Sequence, residues 1–376
     1  MRLFFLLFLL PAAQVSAQPL QQISPYFVGH SLVNLDVPAM IKSLATDAGK
    51  TDQYAYQIGI GANLWWQWDT LQGNEQGILW QKALPTGQFD AMVITEAVPL
   101  MGHLLWSRTY DFADSFLLTA RKYRPDIRFF IYETWHCNTT GTPTGCAWDN
   151  NDNLLWRPRL AADFPLWTGI MDTLKKRNPD AKVWMVPAGQ AFGMLADSIA
   201  AGKVPGIADV KTLFTDDIHL THVGNYFVAC VMYACLFRES PEGRTNQTFS
   251  EWGTPFTAPT PALAKKMQQI AWKTVTNLAA RTGVSASSVA TQAPNDGLVL
   301  QIFPNPSTQG EAIVVFSESD FKALQVVDIQ GKIVFNLSLA ATKNCRFDLP
   351  QAGVYLLRVR MADGKVVLKK LVVRNG

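Results

Sequence analysis

The chain has 376 residues, and 48% of them are hydrophobic, so it is long enough to form two domains with well-filled cores. Its 33 Lys and Arg residues nearly balance 30 Asp and Glu residues, which leaves a net charge of +3. A chain with so little net charge and no dense basic run is not expected to bind nucleic acid or another polyanion.

The beginning of the chain indicates export. Arg2 precedes an apolar stretch over residues 3–10, and small residues follow at Ser16 and Ala17. This order is typical of a cleaved secretory signal peptide, which we place at residues 1–17. The apolar stretch is shorter than the ~20 residues that a membrane-spanning helix needs, so no transmembrane segment is predicted.

Residues 22–282 are predicted to form an α/β domain, because short apolar runs alternate with longer helical patterns. Strands are predicted at residues 26–28, 54–60, 91–95, 128–132 and 183–186, and helices at residues 38–48, 107–122, 163–177, 224–237 and 261–281. Ligands bind such mainly parallel sheets beyond the carboxyl ends of the strands. The candidate residues that closely follow a predicted strand are Ser31, Gly61, Glu96 and Glu133.

Five cysteines in an exported chain favour disulfide formation. A bond between Cys137 and Cys146 would close a loop rich in Gly, Thr and Pro; two unpaired thiols are the alternative. Cys230 and Cys235 lie five positions apart on a predicted helix, so their side chains diverge and we expect buried thiols.

The composition changes near residue 283. Residues 283–297 are rich in Ser, Ala, Thr, Gln, Pro and Asn, which is typical of a linker between domains. From residue 298 to residue 376, alternating strands separated by Asp- and Gly-containing turns predict a small all-β sandwich.

Two segments carry candidate catalytic chemistry, Gly29-His30-Ser31-Leu32 and Asp216-Asp217-Ile218-His219. A serine nucleophile needs an imidazole to accept its proton and a carboxylate to orient that imidazole. An Asp three residues before its His can fold back on the ring within one turn of loop. This spacing favours Asp216, with Asp217 as the alternative.

A metal site is the other interpretation of the histidines. His30, His219 and His222 supply ligand atoms, but no His-Glu-x-x-His pattern or acidic cluster completes a ligand set. We therefore predict neither a metal nor a cofactor.

The order of the motifs resembles that of the SGNH, or GDSL-type, hydrolase family over about residues 22–281, with Gly59-Ile60-Gly61-Ala62-Asn63 as its glycine block. The resemblance implies an SGNH-like three-layer α/β fold with a mainly parallel sheet. It implies that Ser31 is the nucleophile, His219 the general base and Asp216 its orienting carboxylate. It also implies an oxyanion hole that includes the main-chain N–H groups of Ser31 and Gly61.

The chain departs from the family at the third block, where an Asn side chain normally binds the oxyanion. Here the sequence is Val93-Ile94-Thr95-Glu96-Ala97. A carboxylate would repel an oxyanion, and the loss of one donor costs about 10²–10³ in turnover. Three explanations remain open: Asn63 donates instead, Glu96 is held protonated, or the activity is weak.

Four residues are possible pocket residues: Glu96, Glu133, Trp65 and Trp135. Aromatic faces on a pocket rim suit the stacking of sugar rings. The alternative is that each tryptophan packs at a sheet edge or a helix interface.

The last region closely resembles the C-terminal sorting domain of type IX secretion cargo. The resemblance rests on Ile302-Phe303-Pro304-Asn305-Pro306-Ser307, on Gly353-Val354-Tyr355-Leu356-Leu357 and on the closing Lys369-Lys370-Leu371-Val372-Val373. It implies that the type IX machinery is a partner and that the mature protein is secreted or attached to the outer surface. A generic β-sandwich binding module is the alternative.

Together these features predict a secreted serine esterase that acts on an ester substrate, with an acetyl ester on a carbohydrate as the expected substrate. The substrate class follows from family habit, export and tryptophan content. A non-catalytic glycan- or partner-binding surface protein on the same scaffold is the first alternative. A lipase or thioesterase is the second.

Overall fold

The computed structural model describes residues 18–69, 76–149, 153–285, 300–328, 332–364 and 366–375. The chain forms two compact units, residues 1–289 and 290–376, and each is described by itself. The predicted signal peptide at residues 1–17 lies outside the described residues, as do residues 286–297 of the predicted linker. No helix in the described ranges is both long and apolar enough to span a membrane.

The first unit is built on a mainly parallel sheet. Its strands, in chain order, are β1 (Gln22–Ile23), β2 (Pro25–Gly29), β3 (Thr51–Asp52), β4 (Ala55–Ile58), β5 (Gln76–Gly77), β6 (Ala91–Ile94), β7 (Arg128–Glu133) and β8 (Lys182–Pro187). Strands β1 and β3 pair with each other, and the other six form one sheet in the order β5-β4-β2-β6-β7-β8. Only the β4–β5 pair in that sheet is antiparallel, so the predicted fold class is confirmed.

Ten α-helices of the described chain belong to this unit. They are α1 (Asp36–Asp47), α2 (Leu64–Asp69), α3 (Trp80–Ala83), α4 (Leu100–Trp106), α5 (Thr109–Tyr123), α6 (Trp156–Arg177), α7 (Ala188–Ala200), α8 (His222–Phe237), α9 (Pro261–Asn277) and α10 (Ala279–Thr282). The predicted helices are all present with shifted ends, whereas α2, α3, α4 and α7 were not predicted. Helix α6 begins well before the predicted residue 163, because Pro158 lies in its first turn, where no N–H donor is needed.

The sheet separates two cores, because side chains alternate between its faces. Phe27 packs with α1, α7, α8 and α9, whereas its neighbours Tyr26 and Val28 pack with α5 and the second half of α6. Helix α8 is apolar on all sides and is buried from residue 224 to residue 237. The result is the three-layer α/β arrangement that the sequence predicts.

The first unit continues past its predicted end at residue 282. Gly283 ends α10 in the left-handed conformation that suits glycine, and Val284 is buried in the core of this unit. The first residues of the predicted linker are therefore part of the folded unit, which corrects the predicted boundary. A single apolar residue among polar neighbours is too weak a pattern to show this from the sequence.

The second unit is all-β. Its strands are β9 (Leu300–Phe303), β10 (Ser307–Thr308), β11 (Ile313–Val327), β12 (Ile333–Phe347), β13 (Gly353–Met361) and β14 (Val366–Arg374). Strand β11 pairs with β9 along residues 314–317 and with β13 along residues 321–327, and the pairing register shifts between these parts. All six strands belong to one hydrogen-bonded network in the order β10-β14-β13-β11-β12, with β9 paired to β11, and they form the separate all-β domain that the sequence predicts.

Candidate active site

Ser31 lies in a tight turn at the carboxyl end of β2. The N–H groups of Val33 and Asn34 both donate to the carbonyl oxygen of His30, at 2.9 and 3.1 Å. A Cβ atom on Gly29 would lie 2.5 Å from Val33 Cγ2, so the turn requires glycine at this position. Ser31 remains half-buried at the sheet edge, where its hydroxyl can meet a ligand.

A continuous chain of hydrogen bonds joins three of the predicted residues. His219 Nε2 lies 2.9 Å from Ser31 Oγ, and His219 Nδ1 lies 2.7 Å from Asp216 Oδ2. The other carboxylate oxygen of Asp216 accepts the N–H groups of Ile218 and His219, at 2.8 and 2.6 Å. Asp216, rather than Asp217, therefore holds the imidazole.

Hydrogen bonds keep Asp216 ionised. Partial burial raises the pKa of Asp216. The N–H groups of His219 and Ile218 and the His219 ring lower this pKa by a larger amount, so the net pKa lies below its ordinary value. A carboxylate in this state holds the His219 proton on Nδ1 and leaves Nε2 free to accept the serine proton.

The turn that carries Asp216 and His219 is exposed, and a second loop supports it. Asn138 donates from its main-chain N–H to the Asp217 carbonyl at 2.6 Å and from Nδ2 to the Asp216 carbonyl at 3.1 Å. Trp135 Nε1 donates to the Ile218 carbonyl at 2.8 Å. A disulfide between Cys137 and Cys146 closes this supporting loop.

His136 lies beside that disulfide. Among the described residues, His136, Cys137 and Cys146 form a group whose possible metal-ligand atoms lie close together. The sulfur atoms are joined to each other, so they are not thiolate ligands. His136 Nε2 is instead paired with Asp149 at 2.7 Å. The imidazole thus belongs to a buried polar network behind the supporting loop.

His30, one of the three histidines of the alternative metal site, has both ring nitrogens engaged within the fold. His30 is buried, donates from Nε2 to the Glu96 carbonyl at 3.1 Å and accepts the Leu32 N–H on Nδ1 at 3.3 Å. Burial lowers the pKa of His30 to about 4, so the ring is neutral. His222 Nδ1 accepts the N–H of Thr257. The nitrogen atoms of His30 are both used within the fold, which removes it as a ligand.

The glycine block lies next to the serine turn. The N–H of Gly59 donates to the Gly29 carbonyl at 2.9 Å, and Gly61 follows in the left-handed conformation with φ +67°. Its N–H has no hydrogen-bond partner within the part of the chain that the structure describes. This group and the N–H of Ser31 are therefore candidate oxyanion donors.

The side chain of Asn63 is already engaged, contrary to its predicted role as an oxyanion donor. Its oxygen accepts the N–H of Trp66 at the start of α2, and Nδ2 lies 3.2 Å from Ser107 Oγ and 3.4 Å from His103 Nδ1. Asn63 therefore connects the glycine block to α4 instead of offering a free amide.

Glu96 is a buried acceptor rather than a pocket residue, because its carboxylate points into the protein. Oε1 accepts the N–H groups of Leu64 and Ala97 at 3.1 and 2.8 Å, and Oε2 accepts the Thr109 hydroxyl at 2.7 Å. Burial raises the pKa of Glu96 to about 7 despite these hydrogen bonds. The carboxylate is therefore bound by Ala97 and by the first residues of α2 and α5.

Two more predicted pocket residues are also buried. Glu133 accepts from the main-chain and side-chain N–H groups of Gln190, and burial raises its pKa to about 8. Trp135 packs against Phe192 inside the core. Among the four predicted pocket residues, Trp65 on α2 is the exposed one.

Sequence reasoning missed Asn138, His103, Ser107 and Thr109, which support or border the site. Each is a polar residue whose role depends on a partner far away in the chain, so no local spacing marks it. Only His103 could have been suspected from the sequence, because it follows the predicted strand at residues 91–95, whose carboxyl end lies at the candidate edge of the sheet.

Comparisons with known proteins identify the second unit. Residues 301–374 match the family model described as secretion system C-terminal sorting domain. No curated protein matches the chain.

Three solved structures illustrate what the chain is similar to. A DUF4886 family protein from Bacteroides uniformis is 18% identical with a TM-score of 0.48, over 68% of this chain and 95% of that one. A carbohydrate esterase family 2 enzyme with a carbohydrate binding domain, from Corynascus thermopiles (Myceliophthora fergusii), is 15% identical with a TM-score of 0.30, over 46% and 57%. Phospholipase A1 from Streptomyces albidoflavus is 12% identical with a TM-score of 0.30, over 54% and 94%.

Such low identities and scores carry no activity from those proteins to this chain. The match of the second unit, in contrast, covers nearly all of its described strands. Residues 301–374 therefore belong to the secretion system C-terminal sorting domains, and they direct this protein through a type IX secretion system to the cell surface or the medium.

Proposed function

We propose that the first unit is an exported serine esterase of SGNH type. The observation that carries the proposal is the hydrogen-bonded series from Ser31 Oγ through His219 to Asp216. The three residues come from two loops 188 positions apart in the chain, and such a meeting of nucleophile, base and orienting carboxylate is the arrangement that acyl transfer requires.

In the first half-reaction, His219 Nε2 accepts the proton of Ser31 as its Oγ attacks the ester carbonyl carbon. The main-chain N–H groups of Ser31 and Gly61 stabilise the negative oxygen of the tetrahedral intermediate. The alcohol leaves with the proton from His219, and Ser31 keeps the acyl group. Water then attacks the acyl carbon, His219 accepts the water proton and returns it to Ser31, and the carboxylic acid is released.

The substrate class we favour is an acetyl ester on a carbohydrate. Two observations support it: the sorting domain directs the protein outside the cell, and Trp65 and Trp66 expose their rings on α2, just after the glycine block. Indole rings suit the apolar faces of sugars. The half-exposed base, His219, also gives water direct access for the second half-reaction.

A second candidate is the cleavage of esters with an apolar acyl chain. Exposed apolar side chains extend from the glycine block to α4, namely Ile60, Trp65, Trp66, Met101, Leu105 and Trp106. Exposed apolar side chains of this size can contact an apolar portion of a substrate. Turnover of a series of aryl esters from acetyl to long-chain acyl separates the two candidates.

Covalent labelling tests the proposal itself. The mature chain is treated with a fluorophosphonate probe and analysed by intact mass, alongside Ser31→Ala and His219→Ala. Labelling of the wild type that is lost in both variants supports a working nucleophile. If folded wild-type protein is not labelled, the proposal fails and the binding-protein alternative takes its place.

Neighbouring carboxylates provide a matched comparison. Asp216→Asn should lower ester turnover by about 10²–10⁴-fold, because the carboxylate holds the base. Asp217→Asn should leave turnover within about threefold of wild type, since only the main-chain oxygen of Asp217 contacts the supporting loop.

A further inference from the structure

The proposed oxyanion hole lacks a side-chain donor at the usual place, and α4 offers one. Glu96 occupies the third-block position with its carboxylate bound to Leu64, Ala97 and Thr109. The Asn63 amide is bound to α4 and the start of α2. Neither side chain is left to stabilise a negative oxygen.

His103 lies in the same cluster with a defined tautomer. Its Nδ1 is 2.9 Å from Ser107 Oγ and 3.4 Å from Asn63 Nδ2. Since an amide nitrogen only donates, Nδ1 accepts and the ring proton is on Nε2. Partial burial lowers the pKa of His103, which keeps the ring neutral. A neutral imidazole with a proton on Nε2 is a hydrogen-bond donor without the competing role of a base.

Several contacts hold this ring in the neighbourhood of Ser31. The Gly29 carbonyl accepts the N–H of Gly59 and the side chain of Gln67, which packs the glycine block and α2 against the serine turn. Glu96, a few residues before α4, accepts His30 Nε2 on its carbonyl oxygen. Charge on either His103 or His219 would act on His30, the residue before the nucleophile. Asn63 of the glycine block and Ser107 hold the His103 ring, and His219 contacts Ser31 itself, so the elements that carry both imidazoles meet around the serine turn.

We propose that His103 is the missing oxyanion donor, with Nε2–H taking the place of the amide that the third block normally supplies. Nε2 has no partner among the described residues, so its proton is available to a ligand. Ser107 and Asn63 act as positioning residues that fix the tautomer. This inference rests on the proposed esterase function.

Kinetics of three variants test the donor role. His103→Ala should lower kcat by about 10²-fold with KM within about threefold, because a donor to the oxyanion acts in the transition state. His103→Gln, which restores an N–H near the position of Nε2, should recover a large part of that loss. His222→Ala removes an imidazole outside the cluster and should keep kcat within about threefold.

Fluorophosphonate labelling gives a second readout, since the phosphonyl oxygen occupies the oxyanion hole. Labelling of Ser31 should slow in His103→Ala in parallel with kcat, while the melting temperature stays close to that of wild type. If His103→Ala keeps wild-type kcat, or if Gln rescues no better than Ala, the inference is overturned and the esterase proposal stands. If wild-type Ser31 is never labelled, both are overturned.

Discussion

Replacing Glu96 with Gln should stabilise the first unit above neutral pH and leave its stability in mild acid nearly unchanged. A Gln oxygen can accept the N–H groups of Leu64 and Ala97, and its amide can donate to the Thr109 hydroxyl, so the contacts persist. The substitution removes the charge that the buried carboxyl carries at high pH.

The magnitude follows from the two protonation equilibria. Burial raises the pKa of Glu96 from 4.5 to about 7 in the folded protein. Between those values the folded state holds a proton that the unfolded state has lost, so stability falls as pH rises. The favourable contribution is fully present below pH ~4.5 and is lost above pH ~7, and the difference amounts to about 3 kcal/mol.

Chemical denaturation at pH ~5 and pH ~8, followed by tryptophan fluorescence, measures this effect. All 12 tryptophans lie in the first unit, so the second unit adds no tryptophan signal. Because the unfolded carboxyl is already mostly ionised at pH ~5, the free energy of unfolding should shift by about 2.5 kcal/mol in favour of Glu96→Gln over wild type from the lower to the higher pH. Glu242→Gln, which changes an exposed carboxyl, is the matched control. An unchanged difference between variant and wild type at the two pH values would refute the argument.

Three further predictions concern the turns around the site. Asn138→Ala should lower kcat by about tenfold with little change in KM, because the supporting loop loses its side-chain contact with the base turn; wild-type kcat would contradict this support. Cys137→Ser should lower both the melting temperature and kcat, and thiol titration of the unfolded, unreduced wild type should find Cys137 and Cys146 unreactive. Gly29→Ala should destabilise the first unit by about 1–3 kcal/mol in denaturation experiments, whereas Gly102→Ala, with open space around it, should stabilise α4 by up to ~1 kcal/mol.

The fold was largely predictable because its strands are continuous apolar runs. Strands β2, β6 and β7 are buried along their whole length, and such runs stand out from polar loops. Helix α2 was missed because six residues with three tryptophans carry no helical periodicity. Helix α7 starts directly after β8, without the polar break that usually separates a strand from a helix.

The proposed catalytic residues were easier to predict than the residues that support them. Ser31 and His219 lie in short motifs whose spacing follows from the chemistry, and Asp216 reaches its His within one turn. Asn138 supports Asp216 from 78 positions away, a contact that depends on how β7 and the loop before α8 are placed. Sequence patterns describe neighbours along the chain, so they do not predict such a contact.

Glu96 shows how the direction of one side chain changes the meaning of a motif. From the sequence, a carboxylate at this position looks harmful, because it would repel the oxyanion. Inside the fold, the same carboxylate accepts three donors and fixes the first residues of α2 and α5. Turning this buried carboxylate towards a substrate would break three hydrogen bonds, and removing it would leave three buried donors unsatisfied, so both changes cost free energy. The carboxylate at this position therefore does not by itself argue against catalysis, and the His103 variants test our proposal that the side-chain donor lies on α4.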